Sequence, residues 1–397
     1  MLNKKLKLLI LLLAITMPTL KAADDILDQK FNPLRTGVPS LSITPDARGA
    51  GMGDVGTATD PDIASQFWNP AKYAFAYSKA GVGLTYTPWL SKLVDDIYLV
   101  YASGYYKLGD SDRSAVGASL RYFSLGEVPL TPQGATSGAG AVYENIHPYE
   151  MAVDLSYSLK MTETFSLGAA FRFIYSDLGA GALEDISAGS AVAADIAGYY
   201  NNYVMLGNSE GMLGLGFNIS NIGNKVSYDG GNTQAFLPTN LRIGGSLLFP
   251  LDDYNTLSIN ADVSKLLVPT PPDLNALTDD DDKTAVWNEY TNQSPMSGMF
   301  KSFSDAPGGM KEELREINWA LGAEYAYDRR FFVRGGYYYE NKYKGNRQFF
   351  SLGSGFRFTS FQLDVSYLIS TVPSNPLDQT LRFSLSFDMD GLAGLMR

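Results

Sequence analysis

Four features of this chain have residue types that could do chemistry. The first, Gly51-Met52-Gly53-Asp54-Val55-Gly56, matches the dinucleotide fingerprint G-x-G-x-x-G letter by letter. That fingerprint works only between a hydrophobic strand and a helix whose N-terminus receives the phosphates. Here Thr44-Pro45-Asp46-Ala47-Arg48 precedes it, and Pro61 and Asn69-Pro70 break any long helix after it. The second is a lone histidine, His147, in a chain with no cysteine. Zinc-hydrolase motifs and Ser-His-Asp triads built elsewhere are thereby excluded, and so are disulfides. No G-x-S-x-G nucleophile elbow occurs. The third, Asp279-Asp280-Asp281-Asp282, lacks the spacing and glycine of a calcium loop. It reads as a solvated surface. No residue is thus assigned a catalytic, cofactor-binding or metal-ligating role. The fourth feature is a set of ten charges: Arg121, Asp154, Arg172, Arg242, Asp262, Glu324, Arg334, Arg357, Asp364 and Arg382. Paired carboxylates among them could do acid–base work. What they do depends on the elements that carry them.

Those elements alternate with a period of two. Fourteen segments show it: 81–88, 96–108, 113–125, 149–161, 164–178, 193–206, 211–222, 239–250, 254–266, 317–328, 329–341, 347–358, 359–370 and 380–388. In one of them Leu167, Ala169, Phe171, Phe173 and Tyr175 oppose Gly168, Ala170, Arg172 and Ser176. In another Phe361, Leu363, Val365, Tyr367 and Ile369 oppose Gln362, Asp364 and Ser366. In the last Leu381, Phe383, Leu385 and Phe387 oppose Arg382, Ser384, Ser386 and Asp388. Successive side chains of a strand point to opposite faces, so each segment has an apolar side and a polar one. Ten residues at ~3.3 Å rise, tilted ~40°, span about 25 Å, the height of a barrel's apolar band. Soluble sandwich strands run about five or six residues.

All ten charges fall on the polar face. An arginine on the lipid face at the bilayer midplane costs about 2–4 kcal/mol, so a membrane barrel confines its charges in this way. The expected fold is all-β, a fourteen-stranded antiparallel transmembrane barrel. Its ten lumen charges are expected to pack as Arg–carboxylate pairs, because buried charges need partners. The 39 glycines and 13% aromatics suit such a barrel, and the net charge of −11 argues against a nucleic-acid partner.

The connections alternate short and long, which puts tight turns at the periplasmic rim and long loops outside. Residues 1–22 read as an export signal, with Lys4, Lys5 and Lys7 ahead of an apolar run and Ala22-Ala23 at the cleavage site. Residues 23–79 do not alternate and read as a hatch folded against or inside the barrel, with Trp68, Asn69 and Pro70 ordered at the barrel's periplasmic end and Gly51 and Gly53 in close backbone contact. The barrel covers 80–390, and 391–397 is expected to be a periplasmic tail. One loop, 267–316, is far longer than the rest and carries Trp287, Tyr290, Met296, Met299, Phe300, Phe303 and Met310. Exposed apolar patches mark interaction sites, and loops above ~15 residues are usually functional or disordered. These residues either cap the barrel mouth or meet a partner.

The run from Asp46-Ala47-Arg48-Gly49-Ala50-Gly51-Met52-Gly53 through Phe67-Trp68-Asn69-Pro70-Ala71 resembles the N-terminal signature of the FadL-like outer-membrane proteins. Within that group the whole chain is similar to the PorV (LptO) family of type IX secretion. The resemblance implies a Gram-negative outer membrane, fourteen strands and no enzymatic activity. It implies a shuttle that takes cargo by its C-terminal signal domain from the SprA/Sov-like translocon. Delivery is to an attachment complex of the sortase-like PorU with PorQ and PorZ. The chain departs from the usual terminal aromatic, since Phe387 lies ten residues before Arg397. Two other roles stay open. One is a FadL-type channel for long-chain fatty acids or other hydrophobic small molecules, although a charge-rich lumen weighs against a lipid conduit. The other is a factor for lipopolysaccharide modification.

Overall fold

The computed structural model describes residues 31–90, 94, 96–109, 112–130, 144–179, 186–207, 209–373 and 377–389. The expected export signal, the first residues of the hatch, the tail 391–397 and the middle of the 126–148 loop lie outside these. The chain divides into two units, Met1–Phe31 and Asn32–Arg397, and every element below belongs to the second.

The strands in chain order are β1 Ala80–Pro88, β2 Ile97–Leu108, β3 Ser114–Leu125, β4 Val128–Leu130, β5 Glu144–Ile146, β6 Tyr149–Lys160, β7 Phe165–Asp177 and β8 Gly189–Leu206. They continue as β9 Ser209–Gly223, β10 Asn240–Pro250, β11 Asn255–Leu266, β12 Ile317–Tyr327, β13 Phe331–Tyr339, β14 Gln348–Phe358, β15 Phe361–Ser370 and β16 Leu381–Asp388. Fourteen of them close an antiparallel barrel in which each pairs with its chain neighbour and β1 meets β16. The remaining two, β4 and β5, form a ribbon on the loop between β3 and β6. No alternation marked that ribbon, because three residues are too short to show a period.

Parity decides what each strand presents. Leu167, Phe171 and Phe173 are exposed on the outer wall, while Arg172 between them is buried. In β16 Leu381, Phe383 and Leu385 face out and Arg382 faces in. Tyr86, Tyr98, Tyr122, Tyr149 and Tyr175 are diagonal neighbours on successive strands, each two residues out of register with the next, with ring centroids 5.6–6.2 Å apart. They form part of an aromatic girdle at the long-loop rim. Tight turns occupy the other rim. In the β12–β13 turn Asp328 and Arg329 both take φ near 51°, the twist that lets two strands reverse within a few residues.

Inside the wall lies a plug. It starts at the loop rim, where the Asn32 N–H donates to the Tyr343 carbonyl and its amide to the Pro271 carbonyl. It descends through short helices α1 Ala47–Ala50 and α2 Ser65–Trp68 and the 3-10 turn Pro70–Phe75, and joins β1 at the turn rim. Over the rim sits a lid of three further helices: α3 Asp280–Asn292, α4 Pro295–Lys301 and α5 Met310–Glu313. The lid belongs to the longest loop, which sequence periodicity had left without elements.

Candidate functional site

The plug is held by a polar interior. Asp46 organises its upper half. One carboxylate oxygen accepts from the Gly49 N–H at 2.7 Å and the other from Trp68 Nε1 at 2.6 Å. The indole then lies flat on glycine backbone: a Cβ at Gly49 would come within 2.6 Å of the ring, and at Gly56 within 2.2 Å. Only residues without a side chain let the turn pass so close. Trp68 sits at mid-height, where Asn218 donates to its carbonyl and Arg242 lies over its ring. This corrects the expected position at the periplasmic end. The shelf that holds the indole is made by residues 46–56, which enter from the opposite rim. Asn69 ties Trp68 to the turn below, donating to the Thr57 and Gly198 carbonyls and accepting from the Ala71 N–H. Pro70 opens that turn. Gly51 packs on the Gly353 backbone, and Gly53 takes φ 77° against the Tyr337 backbone.

The ten lumen charges divide into two groups. Five are ion-paired. Arg172 on β7 forks onto Asp154 of β6 and Asp195 of β8, and also bonds Asn221. Asp195 and Asn221 meet at a bulge between β8 and β9. Arg334 on β13 bonds Glu324 at 2.5 Å and Asp364 at 2.6 Å. Glu324 in turn takes both forks of Arg48 from the plug. The other five do not pair as expected, because the plug offers partners of its own. Arg121 donates to the Ser40 and Ile43 carbonyls. Asp262 accepts from the Gly56 and Thr57 N–H groups and the Thr57 hydroxyl. Arg242 lies over Phe67 and Trp68, and Arg382 over Trp89. Arg357 stays exposed near the turn rim, donating to Gln362 above the Phe332 ring. Arg48, Asp46 and Asp195 were missed. Asp195 has the inward parity of its strand, a signal that was there to use. Arg48 and Asp46 carry no periodic signal, since they lie in the plug, outside the alternating strands.

Cavities remain on both sides of the plug. A cleft of about 50 Å³ on the loop side is lined by Asp54, Trp68, Arg242, Asp262 and Arg347. A chamber of about 650 Å³ on the turn side is lined by Arg48, Asp62, Ile63, Tyr203, Arg334 and Arg357, among others.

The lid has two faces. Its acidic run begins a helix: Asp279 caps it by accepting from the Asp281 N–H, and Asp280, Asp281 and Asp282 fill the first turn, where the helix dipole favours negative charge. All four carboxylates stay exposed, so the run is a solvated surface that also starts a helix. Tyr290 is buried against Phe236 and Trp287, and Arg35 of the plug lies over the Trp287 ring. Met299 is half-buried. The lid's base is a knot of charges. Lys265 bonds Glu313 and Glu316, and Lys344 bonds Glu312 and Glu316. Beside it the Thr270 N–H donates to Asp305, whose pKa burial and the neighbouring Glu313 and Glu316 push up to about 6. The outer face is apolar: Phe300 and Met310 are about two-thirds exposed, and Met296, Phe303 and Leu314 about half. Of the seven lid residues singled out in the sequence, then, Met296, Phe300, Phe303 and Met310 face out, and Tyr290 faces the barrel.

A family model described as type IX secretion system protein PorV matches residues 27–273. This takes in the plug and the wall through β11. No curated protein matches the chain. Similar solved structures include the Pseudomonas putida toluene transporter TodX, at 12% identity and TM-score 0.49, covering 90% of this chain and 99% of that one. A Pseudomonas aeruginosa FadL homologue aligns at 14% identity and TM-score 0.43, covering 87% and 98%. The Ralstonia pickettii toluene transporter TbuX aligns at 12% and 0.43, covering 86% and 97%. At that distance the likeness carries no argument about what this barrel does.

Proposed function

The chain belongs to the PorV family of type IX secretion system proteins, and from that premise we propose that it is an outer-membrane shuttle that holds secreted cargo at the cell surface. It receives cargo from the SprA/Sov-like translocon by the C-terminal signal domain. It passes cargo to the attachment complex of PorU, PorQ and PorZ. It is not an enzyme, and its outer wall meets outer-membrane lipid and lipopolysaccharide.

The observation that carries this reading is the lid. Membrane barrels expose little surface outside the bilayer apart from their rim loops, and this one presents Met296, Phe300, Phe303 and Met310 to solvent. Aromatics and methionine are enriched at interface cores, and methionine's flexible side chain fits one surface to different partners. The inner face, with Tyr290 and the Lys265–Glu316 knot, keeps that surface in place. What weighs against a fatty-acid channel is the lumen. Trp68, Arg48 and Arg334 occupy its middle, and the larger cavity is lined by charges as well as apolar groups. Deleting 279–310 should leave a folded, inserted barrel that no longer retains cargo, so secreted proteins fail to reach the cell surface. Normal secretion from that variant would move the cargo site to another rim loop. Normal secretion with the whole gene removed, but with fatty-acid uptake lost, would replace the shuttle by a channel.

A further inference from the structure

We propose that the β1–β16 seam is a gate in the barrel wall and that the plug is its latch. The seam is where the barrel closes, and among the described ladders of the barrel wall it is the shortest. It runs from Gly81 opposite Asp388 to Tyr86 opposite Phe383, six residue pairs. The β15–β16 ladder has seven, while β8–β9 on the far side has thirteen. β16 is therefore the strand held by the fewest backbone bonds on both edges. At the loop-side end of the seam the ladder stops before Thr87 and Arg382. The Thr87 hydroxyl and Arg382 Nε there are buried without a hydrogen-bond partner, a local cost at that end of the seam.

The plug compensates at the same place. The Ser384 hydroxyl of β16 accepts from the Ala47 N–H at 2.9 Å and shares a 2.8 Å hydrogen bond with the Thr85 hydroxyl of β1. One oxygen thus joins both strands of the seam to the plug. Ala47 follows Asp46, whose carboxylate is fixed by Gly49 and Trp68, so the donor is held in position by the buried indole. Lower down, Ile63 of the plug packs on Gly81 and Gly83 of β1. Next to Ala47, Arg48 carries the tie onward to Glu324 of β12, and through Arg334 to Asp364 of β15. The hydrogen bond from α1 to β16 is thus the one from Ala47 to Ser384. Behind the seam lies the 650 Å³ chamber, whose lining includes Gly83, Thr85, Ser384 and Ser386. Apart from Asp388 at its turn-side end, the inner face of the seam ladder carries glycine, threonine and serine, so parting these two strands would open the chamber to the bilayer.

Backbone hydrogen exchange of the full chain in nanodiscs tests this. Ser384→Ala, and independently Asp46→Ala, should speed exchange at 81–86 and 383–388 at least tenfold and leave the β10–β11 pair unchanged. A disulfide between Leu84→Cys and Leu385→Cys should then restore slow exchange to the Ser384→Ala protein. These two side chains are exposed opposite each other across the seam, and the chain has no cysteine of its own to interfere. Unchanged seam exchange in Ser384→Ala, equal loosening at β10–β11, or no rescue by the disulfide would each overturn the latch. If Asp46→Ala does not assemble, the Ser384→Ala series decides alone.

Discussion

Two segments of similar length lie outside the barrel wall and are built for opposite ends. Residues 32–79 fill the lumen, and there apolar surface is hidden: Trp68, Tyr73 and Met52 are almost wholly buried. Each anchor is a charge or amide with a fixed partner on the wall, as in Arg48 to Glu324 and Asp262 to Gly56 and Thr57. Residues 267–316 cover the rim, and there the arrangement is split. Charges hold the base, while Phe300 and Met310 are left in solvent. A segment meant only to cap the mouth would bury those side chains beside Tyr290. The contrast separates a part whose groups are satisfied within the molecule from a part that leaves apolar surface unsatisfied, as binding surfaces do.

The contrast breaks first if the plug tolerates losing an anchor. Arg334→Ala leaves Glu324 and Asp364 buried with less positive charge beside them. Removing one partner of a buried pair costs about 3–5 kcal/mol. That variant should lose SDS resistance and its heat-shifted band on gels. Tyr290→Ala on the lid should instead raise protease cutting within 267–316 while the barrel band stays heat-modifiable. Equal damage to barrel assembly from both would show that lid and plug are not distinct in kind.

A smaller effect follows from pH. Asp305 has its pKa raised from 3.8 to about 6 by burial and by Glu313 and Glu316. A raised folded pKa contributes stability below the ordinary value that is lost as pH rises through about 6. Glu312 shifts the other way: burial opposes it, but the Lys344 hydrogen bond holds it below 4.5, so its contribution fades only at lower pH. Between about pH 5 and 7.5 the lid should loosen as pH rises, seen as faster hydrogen exchange in 295–316 with no change in plug amides. Asp305→Asn should flatten the dependence. A lid indifferent to pH over that range would contradict the assignment.

How much could be read from the sequence differed between the same two regions. All fourteen wall strands and the inward side of the ten charges followed from parity, because a strand's faces are local to it. The destinations of those charges did not follow. Arg121 and Asp262 read as halves of ion pairs, and they bind plug backbone instead. Glycines of the wall hold contacts of the same kind: at Gly322 and at Gly336 a Cβ would strike Met52 of the plug. Such contacts join residues hundreds of positions apart and leave no period to find. On the lid the aromatic and methionine content was visible, but which of these side chains face outward depended on short helices such as α4, capped by Ser294, which show too few turns for a period.

The claim that the lid's outer face carries the partner contacts is tested most directly by affinity capture from detergent-solubilised membranes. The variant replaces Met296, Phe300, Phe303 and Met310 with serine and leaves Tyr290 and the Lys265–Glu316 knot alone. It should assemble like the wild type and lose most of the secreted proteins that the wild type brings down with intact C-terminal signal domains. Full retention of those proteins by the serine variant would contradict the account.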